Sequence, residues 1–188
     1  MIGKPLSPYA ISKYVNELHA ENFSQIYGIE TIGLRYFNVF GRRQDPSGAY
    51  TAVIPKFIMS LMKHESPVIN VDGSYSRDFT YVKNVVQANQ LALITTKSES
   101  LNTVYNVACG EQTNLKEMFG HLRSNLAEFD CKIASIEPEY GKTRMGDIPH
   151  SLADISKARL LLGYNPLFNF QSGISEATKW YWENITTN

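Results

Sequence analysis

Apolar positions along the chain switch between two periods, and the switches divide it into helices and strands. Ile11, Val15, Leu18, Asn22 and Ile26 recur every three or four residues, apolar at four of five places, which predicts a helix. Ser7 before Pro8 gives an N-cap and a first-turn proline, and Gly28 gives a stop, so this helix is expected over 8–27. "ETIGLRYFNVFG" then becomes β-branched and aromatic, predicting a buried strand over about 31–37. A helix of this length leading straight into a strand is half of an α/β repeat.

The alternation continues to the C-terminus. "GRRQDPSGAY" is a loop, with Arg42-Arg43 expected to be solvated. "AVIPKFIMSLMKH" is a helix and "PVINV" a short strand ending at Asp72-Gly73. "RDFTYVKNVVQANQLALI" starts irregularly and turns helical from about Val82, before the strand "TVYNVAC". "NLKEMFGHLRSNLAEF" is a helix capped by Asn114, and "SLADISKARLLLGYNP" holds a short helix closed by Gly163. "SGISEATKWYWENI" is a last amphipathic helix. Trp180 and Trp182 lie two apart on it, so one is expected to pack and the other to lie near the surface.

Composition narrows the function classes. The 188 residues are 43% hydrophobic, enough for one domain with a real core. Lys+Arg and Asp+Glu are equal at 18 each, which argues against a nucleic-acid partner or a polybasic membrane anchor. Cys109 and Cys131 lack metal-ligand spacing and are too few for a disulfide scaffold, so a reducing cytoplasm is expected. No signal-peptide run opens the chain, and no apolar stretch approaches ~18 residues. His19, His64, His121 and His150 show no ligand spacing, so no metal is expected.

The stretch "SPYAISK" carries the first candidate chemistry. Tyr9 and Lys13 are four apart on the predicted helix and therefore share a face. A free tyrosine titrates near pH ~10, and a nearby ammonium favours the phenolate, which makes a usable proton acceptor. Spacing alone is equally met by an incidental surface Tyr and Lys. None of the 12 glycines forms G-x-G-x-x-G, the turn that normally cradles a dinucleotide.

Four motifs in order decide between these readings: "SPYAISK", "GIETIGLRYFNVFGRRQDP", "DGSYSRDFTYV" and "RMGDIPHSLADISKARLLLGY". Together they resemble the C-terminal part of the NAD-dependent sugar-nucleotide epimerase/dehydratase family, the extended short-chain dehydrogenase/reductases. Bacterial UDP-N-acetylglucosamine 4-epimerases are the most similar in texture. The resemblance implies an α/β fold: the last portion of a Rossmann-like parallel sheet plus a small α/β substrate-binding domain. Residues 1–43 and about 79–110 would be Rossmann-like, and 44–78 and about 111–188 mainly substrate-binding. It also implies that the N-terminal dinucleotide-binding half, with the Gly-rich turn and a catalytic Ser/Thr, lies outside this chain.

The same resemblance assigns roles. Tyr9 would take the proton from a hexose 4-hydroxyl as hydride leaves C4 for NAD, and Lys13 would bind the nicotinamide ribose and tune Tyr9. Tyr36 and Phe37 would line the nicotinamide, although both also suit a core. Asn38 would bond the substrate, and Ala52, Val53, Lys56 and Asn70 would wall the nucleotide pocket. Arg77 and Arg144 would hold the pyrophosphate with their guanidinium forks, and Asp147 the uridine ribose. Ser151 stands where a tyrosine would close the space beside the sugar's C2, leaving room for an N-acetyl group; a serine there equally suits a helix cap.

The implied activity is 4-epimerization of UDP-N-acetylhexosamines through a 4-keto sugar, for surface polysaccharide synthesis in the cytoplasm, by a homodimeric intact enzyme. The chain alone is expected to be inactive. Two other readings stay open: a sugar-nucleotide 4,6-dehydratase, and a non-catalytic remnant that at most binds UDP.

Overall fold

The computed structural model describes residues 5–46, 52–142 and 148–185. The chain folds as alternating helices and short strands, with four strand pairs, three of them parallel. This is the α/β class that the sequence periods predict.

Helix α1 (Pro8–Tyr27) begins where Ser7 Oγ accepts from Ala10 N at 3.1 Å and ends at Gly28, whose φ of 66° only a residue without Cβ adopts easily. Strand β1 (Ile32–Tyr36) follows and pairs in parallel with β6 (Thr103–Val107), Leu34 lying opposite Tyr105. Between them run β2 (Val39–Phe40), α2 (Val53–Met62), β3 (Val68–Asn70), β4 (Ser76–Arg77), β5 (Thr80–Tyr81) and α3 (Val82–Ile94). Beyond β6 come β7 (Thr113–Asn114), α4 (Leu115–Ala127), β8 (Glu139–Gly141) and α5 (Phe170–Asn184). Strand β2 pairs with β5 and β3 with β8, both in parallel, while β4 and β7 are antiparallel.

Two apolar clusters hold these elements. The larger joins α2, α4 and α5 through Ile58, Leu61, Met118, Leu122, Leu126, Ile174 and Tyr181, each almost fully buried. Burial of this kind contributes about 1.5–3 kcal/mol per large apolar side chain. Helix α5 approaches β5 so closely that a Cβ on Gly173 would stand 2.7 Å from Tyr81 Cβ. The second cluster lies under the β1–β6 pair and gathers Tyr105, Val107, Ala153, Ile155, Leu162 and Tyr164.

Helix α4 starts with a complete capping box: Asn114 Oδ1 accepts from Glu117 N, and Glu117 Oε2 accepts from Asn114 N. The segment expected as a short helix before Gly163 is wound as a π turn over Ala158–Leu162, and Gly163 closes it at φ 69°. Trp180 and Trp182 do not divide as expected. Both are half-buried against the larger cluster, because they flank the fully buried Tyr181 and straddle the two borders of its stripe; Trp182 stacks on Phe129 at 5.4 Å. Cys109 is buried, with its sulfur between Asn84 Nδ2 and the Phe168 carbonyl, and Cys131 is exposed. No described helix is long and apolar enough to cross a membrane.

Candidate functional site

A cavity of about 310 Å³ opens at the start of α2, beside β3 and the β2–β4 region. Asn38, Ala52, Val53, Lys56, Asn70 and Arg77 all line it, although they come from four separate stretches of the sequence. These are six of the positions expected to hold a nucleotide sugar.

Each is placed by local structure. Asn38 sits just past β1 at φ 36°, and its Nδ2 donates to the Asp78 carbonyl at 3.0 Å. Ala52 is the N-cap of α2 with extended backbone and no side-chain cap, so the first N–H groups of that helix lack the partner a Ser or Asp would supply. Those groups carry the positive end of the helix, the usual setting for a phosphate. Lys56, one turn further on, adds an exposed ammonium. Arg77 Nη1 donates to the Ser76 carbonyl at 2.9 Å and to the Pro149 carbonyl at 3.2 Å, which fixes the guanidinium in the lining. Phe57, Phe79, Val68 and Leu115 complete apolar walls. An anion joined to a flat or apolar group suits this combination.

Tyr9 and Lys13 do converge, but not through the phenol oxygen. Lys13 Nζ lies over the Tyr9 ring, 5.1 Å from its centroid, and Tyr9 is 71% exposed. The pair does not line the cavity. Its placement follows from a bidentate ion pair between Glu17 on α1 and Arg35 on β1, at 2.5 and 2.6 Å. Only four residues join α1 to β1, so this contact lays the helix antiparallel to the strand. Lys13 is one turn and Tyr9 two turns before Glu17, about 6 and 12 Å further along the axis. Both therefore lie toward the carboxyl end of β1, the end that also carries Asn38.

The remaining expected residues divide. Tyr36 turns its hydroxyl to Asn89 Oδ1 at 3.2 Å, and Phe37 packs on the second cluster; neither lines the cavity. Ser151 is half-buried, and its N–H donates to the Ser76 carbonyl at 3.1 Å, next to Arg77. It does not cap the following helical segment, where Asp154 Oδ1 instead accepts from Ser156 N at 2.9 Å. Arg144 and Asp147 lie outside the described residues. No metal-holding group of His, Cys, Asp and Glu occurs among the described residues.

The sequence reading missed Tyr75, which lines the cavity, and Asp78, which is fully buried between Arg77 and Phe79. The signal for Asp78 was present: a carboxylate inside "SRDFTY", in a run otherwise suited to burial. Burial pushes its pKa up, against three backbone N–H bonds that pull it down, and the Glu111 charge adds to the rise.

The residues present suit one end of NAD. An exposed tyrosine hydroxyl and ammonium on one helix turn match a hydroxyl-rich ribose and the adjoining nicotinamide, while the sequence holds no Gly-rich turn for the pyrophosphate.

Comparison with known proteins bears on this arrangement. The model of the NAD dependent epimerase/dehydratase family matches residues 2–108. The UDP-N-acetylglucosamine 4-epimerase of Methanobrevibacter ruminantium, solved with UDP-N-acetylmuramic acid, superposes with a TM-score of 0.86 at 40% identity, over 97% of this chain and 56% of that one. The UDP-glucose 4-epimerase of Thermotoga maritima, solved with UDP-glucose, gives 0.86 at 34% identity, over 98% and 56%. The UDP-glucose 4-epimerase of Mycolicibacterium smegmatis is 29% identical over 94% of this chain and 53% of its own length. The chain spans about half the length of the curated relatives it matches. With more than half of its residues under the family model, the chain belongs to the NAD dependent epimerase/dehydratase family.

Proposed function

We propose that this chain carries the proton-transfer pair and the UDP-sugar cavity of a 4-epimerase acting on UDP-N-acetylhexosamines. The observation that supports it best is the convergence of Asn38, Ala52, Val53, Lys56, Asn70 and Arg77 on one cavity beside the open N-terminus of α2. Arg77, Lys56 and the α2 N–H groups take the pyrophosphate, and the apolar walls take the uridine. Arg144 and Asp147 add the contacts to the second phosphate and the ribose. Asn38 bonds the sugar, and the small Ser151 leaves space at its C2 for an N-acetyl group.

NAD, when bound, supplies the hydride acceptor and returns the hydride, which permits inversion at C4. Tyr9 accepts the proton of the sugar 4-hydroxyl and gives it back after the 4-keto sugar has presented its other face. Lys13 donates to the nicotinamide ribose and holds the Tyr9 ring through its charge. Tyr36 and Phe37 border the nicotinamide. The intact enzyme works as a cytoplasmic homodimer in surface polysaccharide synthesis, and this chain alone binds UDP but does not turn over.

The test is calorimetric. UDP is expected to bind the chain, and Arg77→Ala to weaken it about tenfold to a hundredfold, as loss of a charged hydrogen-bond donor does. Equal binding by the Arg77→Ala chain would remove the cavity from the UDP site. Turnover of UDP-N-acetylglucosamine by this chain with added NAD would overturn the division of labour.

A further inference from the structure

Asp78 is a fully buried carboxylate outside the cavity lining. Its Oδ1 accepts from Cys109 N at 2.9 Å, and its Oδ2 accepts from Gly110 N at 3.0 Å and Ala153 N at 3.3 Å. Its backbone carbonyl accepts from Asn38 Nδ2 at 3.0 Å, and the Asn38 carbonyl in turn accepts from Thr80 N at 3.2 Å. One residue thus ties together the turn after β1, the turn after β6 and the segment that carries Ser151. Alternation along the strand puts Ser76 and Asp78 in the interior and leaves Arg77 between them on the cavity side. Ser76 holds the same segment from its other end: its N–H donates to Pro149 O, its carbonyl accepts from Ser151 N, and its hydroxyl meets His150 Nδ1 at 2.9 Å.

Burying a carboxylate is a poor way to gain stability, since apolar groups of similar volume often do as well or better. What three backbone donors on one carboxylate do supply is a fixed geometry. Gly110 shows how tightly the junction closes: its φ is 75°, and an added Cβ would meet Ile155 Cδ1 at 3.2 Å.

We infer that Asp78 is a positioning residue for the cavity, holding Asn38, the Cys109–Gly110 turn and the Ser151 segment in one arrangement around Arg77. The inference rests on the UDP-sugar reading only where it concerns ligand. Asp78→Asn tests it with little change of shape. An amide keeps one acceptor, and its NH₂ must oppose at least one backbone N–H, so one or more of the three bonds is lost.

Two measurements on the whole chain decide. In hydrogen exchange followed by NMR, Cys109, Gly110 and Ala153 amides are expected to exchange at least about tenfold faster in Asp78→Asn, with Leu122 in α4 unchanged. In calorimetry, UDP-N-acetylglucosamine binding is expected to weaken about tenfold and UDP binding about threefold or less, because the proposed reading assigns Asn38, in the cavity lining, and Ser151, outside it, to the sugar. Unchanged protection at Ala153, or equal weakening of both ligands, would overturn the role; equal weakening would mean general loosening. Should the unsubstituted chain bind neither ligand, the UDP-sugar reading fails, and exchange at the three amides still judges Asp78. If Asp78→Asn does not fold, Asp78→Glu, which keeps the charge and displaces it, is judged by the same two criteria.

Discussion

Helices α5 and α1 are both capped and amphipathic, yet their fates differ. The fifteen residues of α5 bury six, including Ile174, Ala177 and Tyr181. The twenty residues of α1 bury none, and Ile11, Val15, Leu18 and Ile26 along its apolar stripe stay 39–62% exposed. Strand β1, next to α1, pairs only with β6 among the described strands. Caps and periods are local and define a helix before it touches anything. Burial depends on partners, and α1 meets the described body through the Glu17–Arg35 ion pair without burying any of its residues.

The largest expected contrast is in hydrogen exchange. Amides in α4 should be protected more than those in α1 by on the order of 10³, the gap between global unfolding and local fraying. Similar protection would mean that α1 is packed in solution. Side-chain truncation comes next. Leu122→Ala should lower stability by about 2–5 kcal/mol in urea denaturation, whereas Leu18→Ala should stay within about 0.5 kcal/mol. A large loss at Leu18 would break the comparison.

The caps sharpen it. Asn114→Ala removes half of the α4 capping box and should lower global stability by about 1 kcal/mol. Ser7→Ala removes an equivalent bond from α1, but should reduce helical circular dichroism without moving the urea midpoint. The smallest effects are in acid, and they have opposite signs. Asp130 is held below the ordinary carboxylate value of 3.8, first by its hydrogen bond with His64 and then by Lys132 N. Its contribution is present above 3.8 and is lost as pH falls through the depressed value. Asp78 is shifted upward by burial, so its contribution is present below 3.8 and is lost as pH rises through the raised value. Acid titration of stability should therefore become shallower in Asp130→Asn and steeper in Asp78→Asn. The same change of slope in both would contradict these assignments.

Much of this was legible in the sequence because it was written locally. Ser7, Pro8, Gly28, Asn114 and Gly163 mark ends that the structure keeps. The cavity positions were legible through ordered motifs, and Asn38 and Arg77 line one cavity although they lie 39 positions apart in number. Three things were not. The packing of both Trp180 and Trp182 depends on where the border of a buried stripe falls, which spacing alone does not give. The exposure of α1 depends on what stands beside it. The run around Asp78 signals its burial, but its backbone N–H partners lie 31, 32 and 75 positions away, which no local pattern names.

The two cysteines give the chain a further property. Burial, together with the charges of Asp78 and Glu111, pushes the Cys109 thiol up to about 11, so at neutral pH it is almost wholly protonated and shielded. Cys131 is exposed, one residue beyond the Asp130 that bonds His64. A thiol-reactive fluorophore should therefore attach at one equivalent, on Cys131, with no cysteine replaced. The unaltered chain comes with a single reporter position at the end of α4, and the second thiol becomes reactive only when the junction around Asp78 comes apart.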